Sequence, residues 1–269
     1  MGLSSRRTGS GRTQSFVRLA TSQESGLVRD LDNRCFPPDH RDLQRAEPGE
    51  LESGVEAGDV RVLEQDGRLV AYLHADSTVP GRIEIAGMAV LPELQGQGLG
   101  TRLVESCLSL VEPGARRTVA IVTITSPRNL RMLHILLRHG FLVRWFLKDH
   151  FGPGRDRFGL QLAAVENWEA DDGGEQLLVP VSRLEFLCRK VEREGWTIVA
   201  LARTSGTVLF VLARCRNDLF PPSAAPPGRF SGNGRSPSPG LGEGKDPSGL
   251  RLRSQDTERA KPFGQRFSE

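Results

Sequence analysis

Residues 90–101 read Val-Leu-Pro-Glu-Leu-Gln-Gly-Gln-Gly-Leu-Gly-Thr. An apolar run ending in Met88, Ala89 and Val90 leads into a turn at Pro92 and then into Gln95-Gly96-Gln97-Gly98-Leu99-Gly100. Beyond it Leu99, Leu103, Cys107 and Leu110 recur at helical spacing, which puts the glycines at a strand-to-helix junction. Glycine lets the backbone approach a ligand closely and aim several amide N–H groups at one point. A helix start adds unpaired N–H donors and the positive end of its dipole. Together they predict a cradle for an anion, most naturally a phosphate or pyrophosphate.

Other nucleotide motifs fail letter by letter. A dinucleotide fingerprint would need glycine at 96, 98 and 101, and the last is Thr101. A Walker loop closes on Gly-Lys-Ser/Thr, and no lysine lies within 90–110. What fits is Gln/Arg-x-x-Gly-x-Gly/Ala, here Gln95-x-x-Gly98-x-Gly100. It resembles the pyrophosphate-binding motif of the GCN5-related N-acetyltransferase (GNAT) superfamily. The flanks carry the same resemblance. Upstream, Gly81 to Pro92 is similar to that superfamily's fourth strand. Downstream, Thr118–Ile124 is a β-branched run that reads as a buried strand. It is followed by a helical pattern that opens at Asn129 and stops at Gly140-Phe141, similar to the superfamily's second signature. The resemblance spans residues 14–165, closest to the branch acting on ribosomal proteins and N-terminal α-amines.

The rest of that span reads consistently. Phe16–Ala20 is a short strand, followed by a helical stretch from Ser22 to Cys35 that breaks at Pro37-Pro38. Two strand patterns flank Gln65-Asp66-Gly67-Arg68, where Asp-Gly signals a tight hairpin. Phe141–Leu147 and Phe158–Leu162 pair around a loop containing Phe151-Gly-Pro-Gly. The order β-α-(α)-β-β-β-α-β-α-β-β describes a mixed α/β (α+β) domain, one central sheet flanked by helices.

Residues 175–215 predict a further small unit: a strand at Gln176–Val181, a helix face of Leu184, Leu187, Cys188 and Val191, and a hairpin about Ser205-Gly206. Leu184–Arg214 resembles a small, uncharacterised bacterial βαββ domain. So short a unit cannot hold a core alone, so it is expected to pack on the first domain or on a second copy, as a homodimer would. Residues 217–269 contain eight Pro, eight Gly and seven Ser without apolar periodicity, the composition of a disordered tail. Residues 1–13 read as similarly loose.

The chain has 269 residues and a formal charge of +3. The tail contributes +2 and residues 1–13 contribute +3, which leaves the remainder at −2. The basic character therefore sits in the termini, which argues against a nucleic-acid-binding core. Cys35, Cys107, Cys188 and Cys215 share no metal-like or disulfide-like spacing, and Cys107 and Cys188 read as buried thiols. No apolar run reaches the ~20 residues of a membrane span, and no hydrophobic signal region opens the chain. The expectation is a reduced, cytoplasmic protein.

The resemblance implies acetyl-CoA as acyl donor and a primary amine as acceptor. It assigns the pyrophosphate to backbone N–H groups from Gln97 through Gly98, Leu99 and Gly100 to Thr101, beside Gly96, with Gln95 assisting. Met88, Ala89 and Val90 would hold the pantetheine arm as a pseudo-strand, and Asn129 would touch it from across the gap. Asn129 also reads as a helix N-cap. An amine needs help losing its proton near neutrality, and Glu84 is the expected base. Strand alternation would put it on the same face as Met88 and Val90. Many family members carry a tyrosine general acid where this chain has Leu136, and His134 lies on another helix face. The segment Lys148-Asp149-His150-Phe151-Gly152 is similar to a peptide-facing loop, which makes His150 and Phe151 candidate acceptor contacts. Three readings stay open: an acetyltransferase for protein N-termini or ribosomal proteins, one for small amines such as polyamines or aminoglycosides, and a non-catalytic acetyl-CoA sensor.

Overall fold

The computed structural model describes residues 14–37, 49–112, 115, 118–163 and 175–214. The expected loose N-terminus, Pro38, Cys215 and the tail from 217 lie outside the described residues. In chain order the elements are β1 (Ser15–Leu19), α1 (Ser25–Cys35), α2 (Glu50–Ala57), β2 (Val60–Gln65), β3 (Arg68–Asp76), β4 (Arg82–Val90) and α3 (Leu99–Leu108). Then come β5 (Ala120–Thr125), α4 (Leu130–Arg138), β6 (Phe141–Leu147), β7 (Arg157–Leu162), β8 (Gln176–Pro180), α5 (Leu184–Glu194), β9 (Trp196–Thr204) and β10 (Thr207–Arg214).

The strands join one sheet in the order β1-β2-β3-β4-β5-β7-β6-β9-β10-β8. Only β4 and β5 run parallel, linked by the α3 crossover. β5 and β7, in the middle of the sheet, have almost every residue buried, as strands covered on both faces must. Each hairpin turn falls where the sequence puts it, with positive φ at Asp66-Gly67 and at Ser205-Gly206. The boundaries differ in detail. Ser22–Glu24 is a separate 3-10 turn ahead of α1, and α3 ends at Leu108, leaving Leu110 exposed beyond it. Cys107 is buried as expected, whereas Cys188 is only half-buried.

The βαββ segment is built into the same sheet. β9 pairs with the edge of β6 at Val143↔Ile198, and β10 and β8 continue outward. Trp196, Ile198, Phe210 and Leu212 are buried in one apolar core with Val143 and Phe158. The Phe158 and Phe210 rings meet edge to face at 5.6 Å, an arrangement worth roughly 1 kcal/mol beyond simple burial.

One irregularity bears on the site. In the β3–β4 ladder His74 pairs with Gly87 and Ala75 pairs with Ile85, so Ala86 is an extra residue bulged out of β4. Directly opposite residues in an antiparallel pair point to the same face. Ala71, Leu73 and Ala75 therefore share a face with Val90, Met88 and Ile85, while Tyr72, His74 and Asp76 share the other with Ala89, Gly87 and Glu84. Alternation alone would have left Glu84 beside Met88. The bulge reverses it.

At the opposite edge, Arg18 of β1 reaches both Glu64 of β2 and Glu24, the latter at 2.6 and 2.8 Å. Hydrogen bonds from Arg18, and secondarily from the Thr21 backbone, lower the Glu24 pKa from 4.5 to about 2. The unfolded chain thus binds the Glu24 proton first as pH falls. The stability this carboxylate supplies is complete above pH 4.5 and is lost between there and about 2. Urea unfolding of Glu24→Gln should be less stable than wild type at pH 6, with the difference shrinking towards pH 2.5. A difference independent of pH would refute this origin.

Candidate active site

β4 and β5 are paired only from Arg82↔Ala120 to Ile85↔Thr123. Beyond that, β4 continues to Val90 laddered to β3 alone, and its other edge faces a gap. The Thr123 hydroxyl donates to the Ile85 carbonyl at 2.8 Å and closes the paired end. The Leu91 N–H donates to Val70 of β3, so by strand alternation the backbone groups of Val90 and Met88 point away from β3 into the gap. The Gln95 side-chain amide, donating to the Val90 carbonyl at 3.1 Å, fits this orientation. The structure thus presents Met88 and Val90 backbone to the gap.

The glycine turn sits at the gap's wide end. Gly96 and Gly98 have φ of 82° and 79°, a left-handed conformation that would strain any residue with a Cβ. A Cβ on either would meet nothing within 4 Å, so the backbone itself forms the open surface there. Gly98 is the N-cap of α3, and the first N–H groups of a helix have no intrahelical partners. Gly100 serves differently: a Cβ there would lie 3.1 Å from Ile135 Cδ1 and 3.5 Å from Met88 Cε. It lets α3 close on β4 and α4.

A cleft of about 700 Å³ runs along this turn, within the range of small-molecule sites. Met88, Ala89, Val90, Gln95, Gly96, Gly98, Leu99, Gly100, Thr101 and Asn129 all line it, so of the expected cofactor residues only Gln97 does not. Gln95 is held structurally, since its other side-chain atom accepts from Arg131. Asn129 caps α4, accepting from the Met132 N–H at 3.2 Å, while also lining the cleft. The facing wall carries Arg128, Arg131, His134 and Arg138 on and beside α4. Arg128, Arg131 and Arg138 went unread in the sequence, although they flank or follow Asn129 on the turns that continue the cleft. Positive side chains, helix N–H donors and an unobstructed glycine backbone fit a polyanionic ligand.

A smaller cavity of about 120 Å³ adjoins the cleft, sharing Phe36, Met88, Ser126, Asn129 and Met132 with it. Its titratable lining is Glu50, Tyr72, His74 and Arg157. Tyr72, the chain's only tyrosine, is buried and donates to Asp32 Oδ1 at 2.6 Å. Burial first, and the Asp32 charge second, push its phenol pKa well up, so it stays protonated. Sequence reasoning missed this cluster because His74 and Tyr72 sit mid-strand in an apolar run, with nothing local to mark them.

The remaining expected residues are placed less directly. Glu84 lies on the Tyr72–His74 face, not that of Met88 and Val90, and is absent from the lining of either cavity. Its carboxylate pairs with Arg82; burial raises its pKa and the guanidinium opposes this. His150 and Phe151 line neither cavity. His150 is buried, its ring 4.5 Å from that of Phe151, and Phe151 is flanked by the guanidinium groups of Arg155 and Arg157 at 5.7 and 5.0 Å. The pair therefore supports Arg157, which does line the small cavity. Leu136 is fully buried core, as far from acid chemistry as its side chain suggests.

The chain has likenesses among solved structures. The loading GNATL domain of CurA from Lyngbya majuscula is 15% identical, with 56% of this chain and 98% of that one covered and a TM-score of 0.47. Naa50 from Arabidopsis thaliana, solved with the bisubstrate analogue CoA-Ac-MVNAL, is 15% identical over 55% of this chain and 97% of its own, with a TM-score of 0.46. The diaminobutyrate acetyltransferase EctA from Paenibacillus lautus, solved with L-2,4-diaminobutyric acid and coenzyme A, is 14% identical over 58% and 99%, with a TM-score of 0.46. No curated protein matches the chain. The profile of the acetyltransferase (GNAT) family matches residues 27–141, a segment that runs from within α1 through the glycine turn and the Asn129 helix.

Proposed function

We propose that the chain transfers an acetyl group from acetyl-CoA to a primary amine. The observation that carries this reading is the β4–β5 gap, which joins a cationic, glycine-floored cleft to a small cavity lined by Glu50, Tyr72, His74 and Arg157. Backbone N–H groups from Gly98 to Thr101, with Arg131 and Arg138 on the facing wall, would hold the pyrophosphate and phosphate. Met88 and Val90 would pair with the pantetheine amides as an added strand, with Asn129 opposite. The thioester then lies where cleft and cavity meet. Cys35 also lines the cleft, but burial pushes its pKa up to about 11. At neutral pH it remains a thiol, which supports direct attack by the amine over a cysteinyl intermediate.

The acceptor enters from the small cavity. A protein N-terminal α-amine is the reading drawn from the loop resemblance, and Arg157 links that loop to the cavity. The cavity volume of about 120 Å³ favours a second reading, a small-molecule amine, because it admits little beyond an amine and its first carbons. A panel of short peptides, spermidine and an aminoglycoside, scored by thiol release, separates the two. Acetyl-CoA binding with no thiol release on any of them would leave the non-catalytic module.

Two substitutions test the donor site. Gly98→Asp places a carboxylate at the open backbone, and Gly100→Val fills the space between α3, Met88 and Ile135. Calorimetry should give acetyl-CoA binding to wild type that weakens at least ~10-fold in each variant, about 1.4 kcal/mol. Equal affinity in both variants would move the donor elsewhere.

A further inference from the structure

We infer that His74, beside Glu50, is the proton acceptor for the incoming amine; the inference rests on the acyl-transfer reading above. Of the four titratable side chains lining the acceptor cavity, two are unsuited to the task. Tyr72 is a protonated phenol whose hydrogen is committed to Asp32, and Arg157 carries a guanidinium with no lone pair to offer. Glu84 stands outside the lining, paired with Arg82. His74 and Glu50 remain.

The geometry favours the imidazole. His74 lines the cavity and is 5% exposed, and its buried Nδ1 has no hydrogen-bond partner. Glu50 Oε1 lies 3.8 Å from Nδ1, beyond hydrogen-bond range, so a proton taken up at Nδ1 would face its carboxylate. On the other side of the ring Nε2 rests against Gly54 of α2, where a Cβ would come within 2.6 Å. The helix passes His74 at a position with no side chain, so the ring is held between α2 and the cavity.

The step balances simply. The acceptor enters as an ammonium ion and gives one proton to the His74 Nδ1 lone pair, leaving a free amine and an imidazolium facing Glu50. The amine lone pair forms the N–C bond to the acetyl carbonyl carbon, and the C–S bond breaks. The second amine proton goes to the departing thiolate, and His74 returns its proton to solvent. Glu50 acts here as a positioning residue. The charged and titratable groups surrounding the ring are Glu50 from α2, Asp32 from α1 through Tyr72, Asp76 and Glu84 on the same sheet face, and Arg157 across the cavity.

The test uses the full-length protein, acetyl-CoA, and two acceptors, glycinamide and hydroxylamine. Hydroxylamine is already unprotonated at neutral pH and needs no base. His74→Gln should lower kcat/KM for glycinamide by about 10²-fold, as expected for general base catalysis, while hydroxylamine turnover and acetyl-CoA affinity stay near wild type. Glu50→Gln removes the carboxylate that faces the ring, and should lower kcat/KM for glycinamide less than His74→Gln does, while hydroxylamine turnover stays near wild type. Equal losses on both acceptors in His74→Gln, or no loss on glycinamide in Glu50→Gln, overturn the inference. So does a 10²-fold loss in Glu84→Gln with His74→Gln unaffected. Wild type that binds acetyl-CoA yet acetylates neither acceptor overturns it together with the catalytic reading. Failure to bind acetyl-CoA instead removes the donor site itself.

Discussion

The single extra residue in β4 organises the site. Without Ala86, β4 would stay in register with β3 and keep one set of side chains on each face throughout. With it, the strand is reversed between Ile85 and Gly87, and the bend a bulge imposes coincides with the point where β4 parts from β5. The inner half remains a parallel ladder, tied off by the Thr123 hydroxyl on Ile85. The outer half turns the backbone groups of Met88 and the Val90 N–H to the gap, while the Val90 carbonyl is held by the Gln95 side chain. A sheet interior rarely tolerates unpaired backbone groups, so the exception marks the place where a ligand's own amides can complete the ladder.

The same reversal separates two electrostatic regions across the sheet. On the side of Met88 and Val90 lie α3 and the glycine turn, and arginines of α4 line the same cleft. On the side of Tyr72 and His74 lie Asp32 and Glu50, with Asp76 and Glu84 along the strands. In the proposed reaction the polyanionic donor binds the first and the amine the second. Low local dielectric strengthens both interactions relative to exposed charges.

Much of this was legible in the sequence because it rests on local signals. The glycine pattern, the Asp-Gly hairpin, the Asn129 cap and the Gly140 stop each act within a few residues, and each stands where it was read. The order of elements followed from them. The face of Glu84 was not legible, because a bulge depends on how β3 pairs with β4 and leaves no mark in β4 itself. The roles of Tyr72 and His74 were hidden for a related reason: their partners Asp32 and Glu50 come from helices 40 and 24 positions earlier in the chain. His150 and Phe151 were chosen by resemblance of a loop, and the packing of that loop turned them inward against Arg157. The βαββ segment was read as a unit, but only the sheet topology shows it extending β6.

The central claim is that the outer half of β4 is an incomplete strand pair which acetyl-CoA completes. Amide hydrogen exchange, resolved to single residues, with and without saturating acetyl-CoA, tests it most directly. The account predicts slowed exchange at Met88 and Val90 and across Gly98 to Thr101, with amides already inside the β4–β5 ladder unchanged. Bound acetyl-CoA that leaves Met88 and Val90 exchanging as in the free protein would contradict it.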